Sequence, residues 1–183
     1  MIERTLDTRP VPPRKLAHVV LRSAHYEESI SWYRSVLSAR AVFESPFITF
    51  LTYDEEHHRV AIIDATAAPA APPTAAGVDH LAFTFASIGD LLSTYRRLRD
   101  EGVGPHWCVN HGPTTSLYYR DPDGVQIELQ VDNFDTPEDF REWADSGVFT
   151  TNPIGVDVDP EDLCRRYLAG ESERSLRRQE VGS

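Results

Sequence analysis

The chain has 183 residues, of which 40% are hydrophobic and 26% are charged, a composition typical of one globular domain with a sizeable apolar core. Its formal net charge of -11 argues against a general affinity for nucleic acid or an anionic membrane. Cys108 and Cys164 lack metal-binding spacing, and neither a secretory signal nor a membrane-spanning run is present. These features predict a cytoplasmic protein without nucleic-acid or membrane partners.

The N-terminal third of the chain predicts an arm followed by a small α/β module. Residues 1–13 are polar and rich in proline, which is typical of a flexible arm. Residues 14–64 have the pattern β-α-β-β-β, in which the first strand is a short apolar run containing His18. The helix is predicted over 26–37, and the strands over 16–21, 41–43, 47–53 and 59–64.

The same pattern begins again after an Ala/Pro-rich linker at residues 65–77, whose prolines disfavour a helix. Residues 78–131 repeat the order β-α-β-β-β, and His80 is the third residue of its apolar run, as His18 is in the first module. The helix is predicted over 88–101, and the strands over 78–83, 106–109, 114–120 and 125–131. The sequence therefore predicts an α+β fold in which two βαβββ modules form one curved mixed sheet around a cavity.

Residues 132–183 differ from both modules and predict a helical extension with a charged tail. Thr136 and Asp159 each precede a proline and a short amphipathic segment, as helix N-caps do. The extension is expected to pack on the edge of the modules or on a second subunit. The tail from Glu171 is expected to be solvated because it is highly charged.

The stretch from His111 to Gln130 predicts two strands joined by a tight turn. Residues 121–124 read Asp-Pro-Asp-Gly, with proline and glycine where a type I turn prefers them. Apolar and polar residues then alternate from 125 to 130. If the apolar side faces the helices, Glu128 points to the opposite face of the sheet.

Two histidines at equivalent positions of a repeat, with a carboxylate on the last strand, are a candidate metal-ligand set. Taken singly, His18 or His80 would more often be a hydrogen-bonded core residue, and Glu128 an exposed strand residue. Their matching positions favour the alternative, in which two imidazoles and one carboxylate hold Fe(II) and leave coordination positions open. The predicted cavity would then be a metal-binding one.

Several of these residues carry a resemblance to a known family. Val109-Asn110-His111, Leu117-Tyr118, the turn at 121–124 and Glu128 follow the signature of type I extradiol ring-cleaving dioxygenases. These enzymes belong to the vicinal oxygen chelate superfamily, and the chain resembles a short, single-domain form of them over about residues 14–131. Asn152-Pro153-Ile154-Gly155 also looks like the tail of the short biphenyl-diol and catechol dioxygenases.

The resemblance implies a function and a role for six residues. The chain is expected to be a non-haem Fe(II) enzyme, with Mn(II) as the alternative metal, that cleaves a catechol with O2 and incorporates both oxygen atoms. A homo-oligomer, a dimer or larger, is also expected. The implied metal ligands are His18, His80 and Glu128, and the implied catalytic residues are His58, His111 and Tyr118.

Two neighbouring histidines are candidates for the acid-base residue. His58 matches the family better than its neighbour His57, but the Ala/Pro linker makes its distance to His80 longer than the family pattern. Four aromatic residues are candidates for a substrate-binding wall, although residues of this kind are more often ordinary core: Phe47, Trp107, Phe134 and Phe149.

Two other functions are compatible with the same fold. A glyoxalase-like isomerase or a thiol transferase would use the metal as a Lewis acid and would not need His58, His111 and Tyr118 together. A metal-free drug-binding protein of the resistance type would not need the three ligands.

Overall fold

The computed structural model describes residue 10 and residues 12–68 and 76–179, with the backbone alone at residues 149 and 150. Most of the predicted arm at 1–13 and the central part of the linker at 65–77 therefore lie outside the described residues. In the described parts of the chain, no helix is both long and apolar enough to cross a membrane.

The first module forms a four-stranded sheet with one helix packed on it. Its elements are β1 (Val19–Ser23), α1 (Tyr26–Val36), β2 (Arg40–Glu44), β3 (Ile48–Thr52) and β4 (Val60–Asp64). The strand order is β1-β4-β3-β2, in which β1 is parallel to β4 and the other pairs are antiparallel. A right-handed crossover through a helix is the usual way to place two such strands in parallel.

The second module repeats this topology. Its elements are β5 (His80–Thr84), α2 (Ile88–Asp100), β6 (Trp107–Asn110), β7 (Thr114–Arg120) and β8 (Gln126–Asp132). The order is β5-β8-β7-β6, and a short strand β9 (Val156–Asp157) from the C-terminal extension adds to the edge at β6.

The predicted α+β fold built from two βαβββ modules is confirmed. The strands form one sheet per module, however, and not the single sheet that the sequence suggested. The reason is local: the first strand of each module pairs with the last strand of the same module.

The alternation along β8 decides which side chains face the core. Ile127 and Leu129 are fully buried and pack with Leu91 and Leu98 of α2. Glu128 lies between them in sequence and therefore points to the opposite face of the sheet, as predicted. It is nevertheless only 4% exposed, so that face is covered by other side chains at this position.

The turn between β7 and β8 fastens the two modules together. Tyr33 of α1 donates a hydrogen bond from its hydroxyl to Oδ2 of Asp121, at 2.9 Å. The carboxylate of Asp123 accepts from the backbone N–H of Ala24, at 2.9 Å, and from the hydroxyl of Ser29, at 3.2 Å. The turn thus has a tertiary role besides reversing the chain.

The C-terminal extension contains α3 (Pro137–Asp145), α4 (Val148–Thr151), α5 (Pro160–Leu168) and α6 (Glu173–Leu176). Both predicted N-caps are present, because the side chains of Thr136 and Asp159 accept hydrogen bonds from the first turns of α3 and α5. The expectation of a solvated tail agrees with residues 172, 174, 175 and 178, which are exposed, and is wrong for Leu176. Leu176 is 3% exposed and belongs to the hydrophobic core beside α2 and α5, so its burial holds the tail on the domain.

Candidate active site

His80 and Glu128 lie side by side on adjacent parallel strands of the second module. The register of β5 and β8 places both side chains on the same face, and Nε2 of His80 is 3.1 Å from Oε2 of Glu128. The other ring nitrogen, Nδ1, is 2.7 Å from the carboxylate of Asp79. Asp79 was not singled out in the sequence, where its position directly before a candidate ligand histidine was the available signal.

The chemistry of this pair fits a metal ion. Both neighbours of His80 are carboxylates, which only accept hydrogen bonds, whereas a neutral imidazole carries a single N–H. If Asp79 accepts that proton from Nδ1, the lone pair of Nε2 faces the oxygen of Glu128, and a cation between them satisfies both. Two donor atoms bound at right angles to one ion at ~2.1 Å are about 3 Å apart, close to the observed separation. A carboxylate on Nδ1 is also a common way to orient a metal-binding histidine.

Tyr118 packs against this pair on the same face of the sheet. It lies opposite Glu128 in the antiparallel register of β7 and β8, and its ring meets that of His80 edge-on, with centroids 5.6 Å apart. Trp107 covers the phenol ring in a stacked arrangement at 4.9 Å. Burial, followed by the negative charge of Glu128 and a hydrogen bond to it, raises the pKa of Tyr118. The phenol therefore remains protonated at neutral pH.

His111 contacts the hydroxyl of Tyr118. Nε2 of His111 is 3.0 Å from Oη of Tyr118, and Nδ1 is 2.5 Å from the backbone carbonyl of Ile154. A carbonyl only accepts hydrogen bonds, so Nδ1 carries the proton in this contact. The neutral ring then presents an acceptor to the Tyr118 hydroxyl. His80, Glu128, Tyr118 and His111 thus form one continuous array, which we call the second-module cluster.

The remaining candidates form a first-module cluster at the start of β1 and β4. The ring centroid of His58 is 4.1 Å from that of His18 and 4.6 Å from that of Phe50, on which it stacks. His57 is linked to His58 through their Nδ1 atoms, at 2.6 Å. Burial, and after it the neighbouring His18 and His57, lowers the pKa of His58.

A crevice joins the two clusters. Its volume is about 520 Å³, and His18 and His80 both line it, together with apolar side chains that include Leu81 and Phe83. Within the part of the chain that the structure describes, no three His, Cys, Asp or Glu side chains come close enough to one another to hold a metal ion. The structure therefore brings His80 and Glu128 together, while His18 lies on the first-module side of the same crevice.

Of the aromatic candidates named in the sequence, Trp107 packs against the second-module cluster, and the others lie away from both clusters. Phe47 is 66% exposed, and Phe134 packs against Trp143 of α3, with ring centroids 5.6 Å apart. The side chain of Phe149 lies outside the described residues. A larger cavity of about 570 Å³ lies beside Phe134 and α3, but none of the six predicted site residues lines it.

The comparisons with known proteins agree with the fold. Residues 15–129 match the Glyoxalase/Bleomycin resistance protein/Dioxygenase superfamily. The chain therefore belongs to this superfamily, and the resemblance noted in the sequence is confirmed. A crystal structure of lactoylglutathione lyase from Agrobacterium tumefaciens superimposes with a TM-score of 0.54 at 19% identity, over 66% of this chain and 96% of that one, which shows the shared fold.

Two characterised relatives are much more similar in sequence. The chain is 46% identical to biphenyl-2,3-diol 1,2-dioxygenase 3 of Rhodococcus globerulus over 168 residues, which are 91% of this chain and 88% of the relative. It is 47% identical to biphenyl-2,3-diol 1,2-dioxygenase 2 of the same organism over 157 residues, or 85% of this chain and 83% of the relative. The similarity thus extends beyond the two modules into the C-terminal extension.

Proposed function

We propose that this chain is an extradiol dioxygenase that opens the ring of a catechol next to its two hydroxyl groups. The observation that carries the proposal is the identity of 46–47% to two biphenyl-2,3-diol 1,2-dioxygenases over most of the chain. In the reaction one ring C–C bond breaks, and both atoms of O2 enter the product. The product ends in a carboxylate on one side of the break and a carbonyl group on the other.

The proposed metal ligands are His18, His80 and Glu128, with Fe(II) as the metal and Mn(II) as the alternative. The buried carboxylate of Glu128 and the lone pair of His80 supply two of the three donors, as argued above. His18 would complete the set from the opposite side of the crevice. When bound, Fe(II) supplies positions at which both catechol oxygens and O2 can bind next to each other.

Tyr118 and His111 are proposed to orient the substrate. The hydroxyl of Tyr118 is held by His111 at 3.0 Å, and its raised pKa keeps the phenol protonated. Trp107 and His80 fix the ring of Tyr118. Because its one proton is donated to Nε2 of His111, the Tyr118 oxygen would accept a hydrogen bond from a catechol hydroxyl at one fixed position. A hydrogen bond at a fixed position costs little reorganisation when the substrate binds.

His58 is proposed to accept the proton that a catechol hydroxyl must lose. Its lowered pKa favours the neutral imidazole, which is the form that acts as a base. Its ring is fixed by stacking on Phe50 beside His18. His57 is the alternative, because the two imidazoles share a hydrogen bond.

The remaining parts of the proposal concern location and assembly. We propose that the enzyme acts in the cytoplasm. We also propose a homo-oligomer, a dimer or larger. Light scattering of the purified protein tests the assembly, and a monomeric mass at micromolar concentration would contradict it.

Anaerobic loading with Fe(II), followed by exposure to oxygen, tests the activity. The protein should consume one O2 per molecule of biphenyl-2,3-diol or catechol and yield a yellow ring-opened product. Loading with redox-inactive Zn(II) is the control and should give no oxygen uptake. Activity that Zn(II) supports would favour an isomerase or a thiol transferase, and a panel of catechols without oxygen uptake would contradict the proposal.

A further inference from the structure

We infer that residues 152–157 of the C-terminal extension position the active site, by holding the two side chains that fix Tyr118. This inference rests on the proposed function, because it assigns the segment a role in presenting Tyr118 to the substrate. It concerns backbone and side-chain groups outside the six predicted site residues. The segment acts through His111 on one side of Tyr118 and through Trp107 on the other.

The first contact fixes the tautomer of His111. The carbonyl of Ile154 lies 2.5 Å from Nδ1 and accepts its proton. In a neutral imidazole the second nitrogen is then an acceptor, and Nε2 points at the Tyr118 hydroxyl at 3.0 Å. Without this carbonyl, nothing in the contact would favour one tautomer over the other. The Ile154 side chain is 62% exposed, so the backbone is the part that acts here.

The second contact fixes Trp107. Oδ1 of Asp157 accepts a hydrogen bond from the indole Nε1 of Trp107, at 2.9 Å. The same indole stacks on Tyr118 with ring planes 22° apart and meets His111 edge-on at 5.5 Å. Asp157 belongs to β9, which pairs with β6, the strand that carries Trp107. The hydroxyl and the ring face of Tyr118 are therefore both held by partners of this one segment.

The segment is itself fastened closely against β6. The side chain of Asn152 accepts from the N–H of Gly155 at 3.0 Å and donates to its carbonyl oxygen at 2.8 Å. Gly155 has a φ of +109°, and a Cβ at this position would lie 2.3 Å from the carbonyl oxygen of Asn110 and 2.7 Å from Cα of His111. Only glycine allows the backbone to approach so closely that the preceding carbonyl reaches His111.

Gly155→Ala tests the inference directly, because the added methyl group must push the segment away from His111. Long-range 1H–15N correlation spectra of the metal-free, 15N-histidine-labelled protein report the tautomer, and His111→Gln assigns the His111 signals. The wild-type protein should show the Nδ1–H form of His111, and Gly155→Ala should shift it towards a mixture. With Fe(II) bound, kcat/KM should fall by on the order of 10²-fold, the effect of about 1 Å of misplacement.

Gly147→Ala is the matched control. Gly147 also lies in the extension with a positive φ, of +81°, but among the described residues, its chain neighbours aside, no atom lies within 4 Å of an added Cβ. It carries similar backbone strain without displacing a neighbour, so the His111 tautomer and kcat/KM should remain as in the wild type. Equal effects of both substitutions would show that general destabilisation, and not position, explains the loss.

Two further variants keep the inference testable if Gly155→Ala does not fold. Asn152→Ala should loosen the turn, and Asp157→Ala should shift the indole N–H signal of Trp107 and lower kcat/KM about tenfold. The inference is overturned if both leave the tautomer, the indole signal and kcat/KM as in the wild type. If the spectra change as expected while the wild-type protein cleaves no catechol, the proposed function fails and the positioning contacts stand.

Discussion

Nε2 of His80 and Oε2 of Glu128 lie 3.1 Å apart on adjacent parallel strands, with the carboxylate 4% exposed. We expect His80→Ala and Glu128→Ala each to lower the iron content of the purified protein severalfold and catechol cleavage by more than about 10³-fold, since the site loses one of three ligands. His18→Ala should have the same effect. Iron analysis and oxygen uptake measure both quantities.

Gln130→Ala is the control for these variants. Gln130 lies on the same strand as Glu128 and donates a hydrogen bond to Thr84, at 2.9 Å. Its loss should leave the iron content unchanged. Wild-type iron content in any one of the three ligand variants would remove that residue from the ligand set.

Adjacent tyrosines on β7 allow a matched test of the hydroxyl of Tyr118. Tyr118→Phe keeps the ring between Trp107 and His80 but removes the group that contacts His111. We expect kcat/KM to fall on the order of 10²-fold, typical of a lost catalytic hydrogen bond, while the iron content stays constant. Steady-state oxygen uptake gives the rate constants.

Tyr119→Phe provides the comparison. The hydroxyl of Tyr119 is buried without a hydrogen-bond partner among the described residues. Removing this hydroxyl should leave the activity unchanged. Because a buried hydroxyl without a partner destabilises the fold, its removal should also raise the free energy of unfolding by up to ~1 kcal/mol. A loss of activity equal to that of Tyr118→Phe would contradict a specific role for Tyr118.

Substituting His58 and His57 separately tests which of them is the acid-base residue. We expect His58→Gln to lower kcat on the order of 10²-fold, because a positioned base is lost, and His57→Gln to have a much smaller effect. The reverse result would assign the proton transfer to His57. Stopped-flow absorbance of the bound catechol distinguishes slow deprotonation from weak binding.

Substitutions of Asp121 test how much its hydrogen bonds between the modules contribute to stability. Its carboxylate accepts from Tyr33 and from the backbone N–H groups of Val125 and Asp123, and burial raises its pKa. Asp121→Ala should cost about 3 kcal/mol of unfolding free energy, one for each lost bond. Asp121→Asn should cost only ~1 kcal/mol, because it keeps one acceptor oxygen and removes a buried charge. Urea denaturation measures both, and equal losses would contradict this account.

Lowering the pH should destabilise the C-terminal extension because Glu171 becomes protonated. Its hydrogen bonds to Arg166 and Ser175 lower its pKa to about 2. A carboxylate with a depressed folded pKa stabilises the fold above the ordinary value of 4.5, and this contribution is lost as the pH falls from 4.5 towards 2. Glu171→Gln should therefore reduce the pH dependence of unfolding in that range.

The exposed residue Glu55 serves as a control for this prediction. Glu55→Gln removes the same charge from an exposed position and therefore controls for the change in net charge. An unchanged acid limb in Glu171→Gln would show that the pair with Arg166 contributes nothing measurable to stability.

The sequence by itself determined the two βαβββ modules and the direction of Glu128. The period-2 alternation along β8 is a local property, so the burial of Ile127 and Leu129 fixes the side of the sheet to which Glu128 points. The helix caps at Thr136 and Asp159 were predictable for the same reason, since a cap depends on residues within one turn. The family signature then supplied roles for these residues that periodicity alone does not contain.

Only the tertiary structure decided which side chains meet. Residues 152–157 reach His111 across more than forty positions in the chain. Such contacts depend on how β9 docks on β6, which no local pattern encodes. The burial of Leu176 is a further case, because a charged tail carries no signal that one leucine enters the core. The sequence therefore defined the strands that carry the candidate ligands, while packing between distant segments determined what surrounds them.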